Sequence, residues 1–116
     1  MDHLALAVSE QARSIAFYVR YFEFEPEAQP REDGVWILHD EAGFSLAIGE
    51  IDQPIVLPSF FHFGRGKRTP EEVRTFRDRV ERDGLEIVDW WDEPDYVSVK
   101  FRDPDGYIVE VGWEPE

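Results

Sequence analysis

The sequence lacks cysteine, and it also lacks any apolar run that approaches the length of a membrane-spanning helix. Without thiols the chain cannot form disulfides, thiolate nucleophiles or thiolate metal sites, so imidazole and carboxylate groups remain as candidate metal ligands. A spanning helix needs about 20 apolar residues. No secretory signal can be recognised before the first predicted strand, and we therefore expect a cytoplasmic protein with no membrane partner.

Basic residues are scarce, since 12 Lys and Arg stand against 26 Asp and Glu and give a formal net charge of −14. A charge of this sign repels nucleic acid phosphates and anionic lipids, so we expect no nucleic acid partner. The 116 residues are enough for one domain covering 1–116, or for two closely packed half-domains.

The two halves of the chain repeat one another. HLALAV at 3–8 corresponds to HFGRG at 62–66, and HDEAGFSLA at 39–47 corresponds to RDPDGYIVE at 102–110. The sequence is therefore one small module written twice, and the secondary structure of each half can be checked against the other.

The first module covers about residues 1–50. Ser9 is predicted to cap a helix that ends near Phe22, because the apolar residues after Ser9 recur at helical spacing. Strands are predicted at 3–8, 24–28, 35–39 and 44–48.

The second module covers about residues 59–116. Thr69, Pro70 and Glu72 form a capping box with proline at the first helical position, and Gly84 is a typical helix stop. Strands are predicted at 60–64, 86–91, 96–101 and 107–113. The order βαβββ thus occurs twice, which predicts an α+β fold.

The two faces of the predicted strands differ in character, because alternate residues of a strand point to opposite sides of a sheet. The residues expected to face the helices are apolar, namely Leu4, Leu6, Val8, Phe44, Leu46, Ile48, Val109, Val111 and Trp113. The residues on the other face are mostly small or polar, namely His3, Ala5, Ala7, Ser45, Ala47, Gly49, Ile108, Glu110 and Gly112. Small side chains leave volume, so this face is predicted to form a concave pocket.

His3, His62 and Glu110 occupy matching places in the two halves. Two neutral imidazoles and one carboxylate can hold a divalent ion, and Mn, Fe, Co, Ni and Zn all accept this ligand set. The remaining coordination positions stay open for water or for a substrate oxygen. We therefore predict a divalent metal cofactor at these residues.

The whole chain resembles the vicinal oxygen chelate superfamily, which includes glyoxalases, fosfomycin-resistance enzymes, extradiol dioxygenases, methylmalonyl-CoA epimerases and bleomycin-resistance proteins. The resemblance rests on the two βαβββ modules, on RSIAFYVRYFEFEP at 13–26, on a histidine that opens each half, and on DPDGYIVEV at 103–111. It implies a concave mixed sheet with the helices on the outer face, and metal ligands at His3, His62 and Glu110. It also implies a homodimer, in which His3 of one subunit would join His62 and Glu110 of the other.

Four positions depart from these relatives. Ala47 stands where glyoxalases carry a fourth ligand, a glutamate, and Lys100 stands where extradiol dioxygenases carry a tyrosine. Ala5 replaces a threonine of the fosfomycin-resistance enzymes, and Trp90 stands near their lysine. The three-ligand plan is nonetheless that of the fosfomycin-resistance enzymes.

Several further residues are candidates for contacting a substrate. Lys100 is expected to face the pocket with Tyr96 and Ser98, where it could contact a substrate oxyanion or donate a proton; a solvent-facing lysine at a sheet edge is the alternative. Glu110 and Lys100 are thus the catalytic candidates. Four tryptophans are many for so short a chain, namely Trp36, Trp90, Trp91 and Trp113. Trp36 and Trp90 are chosen as candidates for lining the pocket, although tryptophans also fit a core or a dimer interface.

Three functions stay open at this point. The first is a metal-dependent enzyme, a lyase, transferase or hydrolase, that polarises a carbonyl, diol or epoxide of a small substrate. The second is a metal-free protein of the bleomycin-resistance kind that sequesters a cationic or aromatic small molecule, which the acidic charge and the tryptophans favour. The third is a scaffold that retains the three ligand-type residues without catalysis.

Overall fold

In the part of the chain that the structure describes, the fold consists of two four-stranded mixed sheets, each accompanied by one helix. The computed structural model describes residues 1–58 and 60–116. It divides into two units, Met1–Val56 and Leu57–Glu116. The predicted α+β fold with tandem modules is confirmed. Ser59, where the second module was predicted to begin, lies outside the described residues.

The first unit follows the predicted order of elements. Its elements are β1 (His3–Val8), α1 (Gln11–Phe22), β2 (Gln29–Pro30), β3 (Trp36–His39) and β4 (Ser45–Glu50). The sheet order is β1-β4-β3-β2, with β1 parallel to β4 and the other pairs antiparallel. Leu6, Val8, Leu46 and Ile48 are buried, as the alternation predicted for the helix side.

The start of α1 differs from the prediction. Glu10 holds the N-cap position and makes no capping hydrogen bond with its side chain. Ser9 does not cap the helix; its hydroxyl instead accepts a hydrogen bond from Arg13 Nη2 at 2.8 Å. The end of α1 at Phe22 is confirmed.

The strand predicted at 24–28 is wrong, because β2 comprises Gln29 and Pro30 alone. Pro26 has no N–H, so residue 26 cannot donate to a ladder. Phe24 is buried in the core, while the N–H of Glu25 donates to the carbonyl of His39 at 2.8 Å. The alternation of apolar residues here therefore reflects anchoring of a loop rather than a strand.

The second unit also follows the predicted order. Its elements are β5 (His62–Gly66), α2 (Pro70–Arg82), β6 (Ile87–Glu93), β7 (Tyr96–Arg102) and β8 (Ile108–Trp113). The sheet order is β5-β8-β7-β6, with β5 parallel to β8. The predicted cap of α2 is confirmed, since Thr69 Oγ1 accepts the N–H of Glu72 at 3.2 Å. Within the described residues, neither helix is long and apolar enough to cross a membrane.

A bulge in β6 changes the direction of its side chains. Ile87 pairs with Phe101, but Asp89 already pairs with Lys100, so β6 carries one residue more than β7 over this stretch. An extra residue shifts the alternation by one and turns every following side chain to the other face.

Candidate functional site

One face of the sheet in the second unit gathers most of the predicted site residues. Along β7, Val97, Val99 and Phe101 are fully buried toward the helix side, which turns the alternating residues to the opposite face. The residues on that opposite face, called here the site face, are His62, Gly64 and Gly66 of β5, Tyr96, Ser98 and Lys100 of β7, and Ile108, Glu110 and Gly112 of β8. The register sets Lys100 directly beside Glu110.

His62 and Glu110 form the centre of the site face. Their side chains are 26% and 20% exposed, and His62 Nε2 lies 3.5 Å from Glu110 Oε1. The other ring nitrogen, His62 Nδ1, lies 3.1 Å from the carbonyl oxygen of Phe60, which requires a proton on Nδ1. In its neutral form the imidazole therefore directs the lone pair of Nε2 toward a carboxylate oxygen, and a cation shared by the two atoms would satisfy both. A histidine oriented through a backbone carbonyl is typical of metal ligands.

Two hydroxyl groups hold the second oxygen of Glu110. Tyr96 Oη donates to Glu110 Oε2 at 2.8 Å, and Ser98 Oγ donates to the same oxygen. Oε1 is thereby left as the oxygen that faces His62. The carboxylate is fixed by residues of the neighbouring strand, so its orientation does not depend on a ligand.

These contacts decide the charge of Glu110. Burial raises the pKa of the Glu110 carboxyl, but the hydrogen bonds from Ser98 and Tyr96, together with the positive charges of Lys100 and protonated His62, bring the pKa below its ordinary value. For Tyr96, a hydrogen bond with Ser98 lowers the phenol pKa. Burial and the Glu110 carboxylate raise the pKa by more than this, so the pKa of Tyr96 lies above its ordinary value. At neutral pH the pair is thus a carboxylate and a neutral phenol donor.

Two glycines make room for Glu110. A Cβ atom at Gly64 would lie 2.8 Å from Glu110 Cβ and would also collide with its backbone. A Cβ atom at Gly112 would lie 3.5 Å from Glu110 Oε2. β5 can therefore approach β8 closely only because residue 64 has no side chain.

A cleft of about 650 Å³ opens beside this centre. Its lining comprises His62, Phe63, Gly64, Arg65, Gly66, Lys67, Tyr96, Glu110, Gly112, Trp113 and Glu114. The volume is within the range of small-molecule sites. The predicted pocket-facing residues His62, Tyr96 and Glu110 thus lie together at one cleft, whereas Ser98 and Lys100 lie on the same face but do not line it.

Asp89 and Trp91 also lie on the site face. Asp89 had no role in the sequence-based prediction, and Trp91 was one of the four tryptophans considered for the pocket but was not chosen as a substrate contact. Because of the bulge in β6, Asp89 pairs with Lys100 and Trp91 pairs with Ser98. Trp91 Nε1 donates to Asp89 Oδ2 at 2.8 Å, and Lys100 Nζ lies 3.9 Å from the same oxygen. No residue pattern in β6 distinguishes a bulged strand from a regular one, so only the register reveals these two residues.

The two tryptophans predicted for the pocket lie on the helix sides of their sheets. Trp90 pairs with buried Val99, and the guanidinium of Arg77 in α2 lies 5.4 Å from the Trp90 ring centre. Trp36 pairs with buried Ile48 and lines a groove beside α1. A role for Trp36 or Trp90 in substrate binding stays a prediction that their position does not favour.

His3 lies in the first unit. It starts β1 and pairs with Ser45 of β4, and Ala47 occupies the place equivalent to Glu110. The His3 side chain is 78% exposed, and its Nδ1 lies 2.7 Å from Asp2 Oδ1. This hydrogen bond to His3 lowers the pKa of Asp2. Within either unit, over residues 1–58 and 60–116, no three ligand-type side chains gather as a metal-binding group.

The fold is shared with solved structures of low sequence identity. A structure described as a possible glyoxalase from Bacillus cereus is 23% identical, with a TM-score of 0.77 and 96% of each chain covered. Lactoylglutathione lyase from Agrobacterium tumefaciens is 22% identical, with a TM-score of 0.74 and coverage of 97% of this chain and 92% of the other.

A third similar structure contains a metal. It is a variant of the fosfomycin resistance protein FosX from Listeria monocytogenes in complex with Mn(II) and a dihydroxypropylphosphonic acid. It is 22% identical to this chain, with a TM-score of 0.78, and the alignment covers 96% of this chain and 86% of the other.

No protein of curated function matches the chain. The model of the glyoxalase, bleomycin resistance protein and dioxygenase superfamily, by contrast, matches residues 1–111, almost the entire length. The chain therefore belongs to the glyoxalase/bleomycin resistance protein/dioxygenase superfamily.

Proposed function

We propose that the protein is a divalent-metal-dependent enzyme that acts on a small oxygenated substrate, with His62, Glu110 and His3 as metal ligands. The observation that carries the proposal is that His62 Nε2 and Glu110 Oε1 lie 3.5 Å apart. A second hydrogen bond orients each side chain, from His62 Nδ1 to the carbonyl oxygen of Phe60 and from Tyr96 Oη to Glu110 Oε2. Such support of ligands by their neighbours is characteristic of metal sites.

The donor atoms fit the cofactor. Imidazole nitrogen and carboxylate oxygen together suit Mn, Fe, Co, Ni and Zn. When bound, the ion would polarise a substrate oxygen as a Lewis acid. The Mn(II) complex of the FosX variant supports a divalent ion in this fold. Ala47 at the place equivalent to Glu110 favours three protein ligands over four, as in the fosfomycin-resistance enzymes.

The residues around the pair have separate tasks. Tyr96 and Ser98 hold Glu110 ionised and in place. Lys100 lies beside Glu110 in the register and presents an ammonium group where a substrate oxygen near the ligands would gain negative charge. Lys100 is thus the candidate oxyanion contact or proton donor.

Metal titration of protein purified without chelator tests the proposal. We expect metal on the purified protein, and we expect His62→Ala and Glu110→Gln each to weaken binding of Mn(II) and Zn(II) by about 100-fold or more, since each removes a direct ligand. His39→Ala is the matched control, because His39 bonds Ser45 in the first unit and is no predicted ligand. Equal affinity in His62→Ala and His39→Ala would refute the metal site.

A metal-free binding protein is the second candidate, and one observation favours it. Trp91 lies on the site face beside Asp89 and is 48% exposed, an arrangement that suits a cationic aromatic molecule. In that case the chelated protein and His62→Ala would bind a cationic aromatic dye as tightly as the untreated protein does. The same titration series therefore separates the two functions.

A further inference from the structure

The site face carries a second feature beside the proposed metal ligands. Trp91, Ser98, Gly112 and Gly66 pair in one row across all four strands of the second sheet. The row spans about 14 Å, since neighbouring strands lie about 4.8 Å apart. We call this row the Trp91 shelf. Three of its four residues are Ser or Gly, and its only large side chain is the exposed indole of Trp91. Ser98 is buried, so the indole and the two glycines are the parts of the row that a ligand can contact.

The neighbouring row supplies the charges. Asp89, Lys100, Glu110 and Gly64 pair across the same four strands, one side-chain step along from the Trp91 shelf. Lys100 stands diagonal to Trp91, a relation that brings side chains within about 7–8 Å. A flat molecule that contacts the Trp91 indole would therefore have the Lys100 ammonium beside the edge of its own ring.

Lys100 retains donors for such a molecule. Among the described residues its ammonium makes one ion pair, with Asp89 Oδ2 at 3.9 Å, which is beyond hydrogen-bond distance. Asp89 Oδ2 is already the acceptor of the Trp91 indole N–H. Asp89 Oδ2 thus orients both the Trp91 ring and the Lys100 side chain. The protons of the Lys100 ammonium stay available to donate hydrogen bonds to a ligand.

We propose that the site takes a planar, ring-bearing substrate with an acidic oxygen group, in which the ring stacks on Trp91 and the acidic group binds Lys100. Asp89 is the positioning residue for both. This inference deepens the proposed function, because it names the substrate class of the same site. It assigns to Trp91 the role that the sequence had indicated for Trp90.

The test uses three naphthalene probes that share the ring and carry polar groups of different charge: anionic naphthoate, neutral naphthamide and cationic naphthylmethylammonium. Affinities are measured by NMR titration of the full chain under chelator, so that no metal can bind the naphthoate carboxylate. We expect naphthoate to bind about tenfold more tightly than naphthamide, as charge-assisted hydrogen bonds allow. Lys100→Met should abolish that difference, and Trp91→Leu should weaken all three probes by about tenfold.

Two controls separate the site from general effects. Trp90→Leu removes a tryptophan from the adjacent position but from the helix side, and Arg31→Met removes one positive charge in the other unit; both should leave the preference for naphthoate unchanged. Thermal melts identify any variant that fails to fold. Should Trp91→Leu not fold, Trp91→His provides the second variant, with a smaller ring and a smaller loss.

Each outcome decides a different proposal. Naphthoate preference that survives Lys100→Met, or tighter binding of naphthylmethylammonium, would overturn the substrate class. Metal binding is measured separately with His62→Ala. A protein that binds metal but shows no naphthoate preference refutes this inference alone, whereas naphthoate preference without metal binding refutes the metal enzyme alone.

Discussion

Glu110 illustrates how single neighbours prepare a side chain for ligand chemistry. A buried carboxylate normally gains a proton, because burial disfavours the charged form. Glu110 instead has a lowered pKa, since two hydroxyl donors and nearby positive charge outweigh its burial. The carboxylate is consequently ionised at neutral pH, with Oε2 committed to Tyr96 and Ser98 and Oε1 directed at His62.

Removal of either hydroxyl should raise the pKa of Glu110. Tyr96→Phe and Ser98→Ala each remove a donor to the carboxylate and leave its burial in place, so the charged form loses support. Each change should also cost about 1 kcal/mol of stability at neutral pH, the usual scale for a lost hydrogen bond. The carboxyl carbon of Glu110 can be followed by NMR during a pH titration of the metal-free protein.

The sign of the pH effect follows from the lowered pKa. A carboxyl whose pKa is lower in the folded than in the unfolded state stabilises the fold above the unfolded value, and that stability is lost as the pH falls through the folded value. The stability gap between the wild type and Tyr96→Phe should therefore shrink in acid. Ser45→Ala, which removes a hydroxyl from the first unit, should leave the Glu110 titration unchanged. A Glu110 titration that does not respond to Tyr96→Phe would contradict the hydrogen-bonded account.

The site residues that the sequence could predict are those on regular strands. β7 and β8 alternate without interruption, so the apolar residues Val97, Val99 and Val109 were enough to place Ser98 and Glu110 on one face. Trp91 and Asp89 could not be found in the same way, because their direction depends on the extra residue in β6. A bulge is set by pairing with β7, and no local signal in β6 encodes that pairing.

The two helices contrast in how their first turns are held. α2 begins with Thr69 as a hydrogen-bonded cap, Pro70 in the first turn, and acidic residues near the positive end of the helix dipole. α1 begins at Glu10 without a side-chain cap and has no acidic residue in its first turn. The stability of α1 therefore comes mainly from its buried face, which includes Phe17 and Tyr18.

The same kind of substitution should consequently have different effects at the two helices. Thr69→Ala should lower the free energy of unfolding by about 1 kcal/mol, because it leaves the N–H of Glu72 without its capping partner. Ser9→Ala should cost less than about 0.5 kcal/mol, since Ser9 is exposed, is not the N-cap residue, and accepts a hydrogen bond from the side chain of Arg13. Urea denaturation of both variants measures the difference. Equal losses would show that Ser9 caps α1 in solution after all.

Most elements could be predicted because their local signals agree with their tertiary pairing. Examples are the α2 cap, the DPDG turn before β8, and the alternation in β1, β4 and β7. β2 was misplaced because 24–28 has strand-like alternation but also contains Pro26, whereas the ladder with β3 forms at Gln29 and Pro30. The error arose where two local signals disagreed and long-range pairing decided.

At the scale of the whole molecule, the proposed ligands come from two separate units. His62 and Glu110 are adjacent in Leu57–Glu116, whereas His3 begins the first strand of Met1–Val56. The family resemblance implies a homodimer in which His3 of one subunit completes the site of the other. We adopt that arrangement as a prediction, and it has a consequence for mixtures of variants.

His3→Ala and Glu110→Gln should each bind metal poorly alone, yet a mixture of the two should recover part of the binding. In a mixed dimer, one site would combine intact His3 from the Glu110→Gln chain with intact His62 and Glu110 from the His3→Ala chain, while the other site would carry both changes. Random exchange makes half of the dimers mixed, so about one quarter of the sites should recover. Metal titration after refolding the variants together measures that fraction, with a mixture of His62→Ala and Glu110→Gln as the control.

The two changes in the control mixture affect ligands of the same unit, so every site in that mixture would lack one ligand. Recovery in neither mixture would place all three ligands in one chain, and recovery in both would refute the assignment of ligands to units.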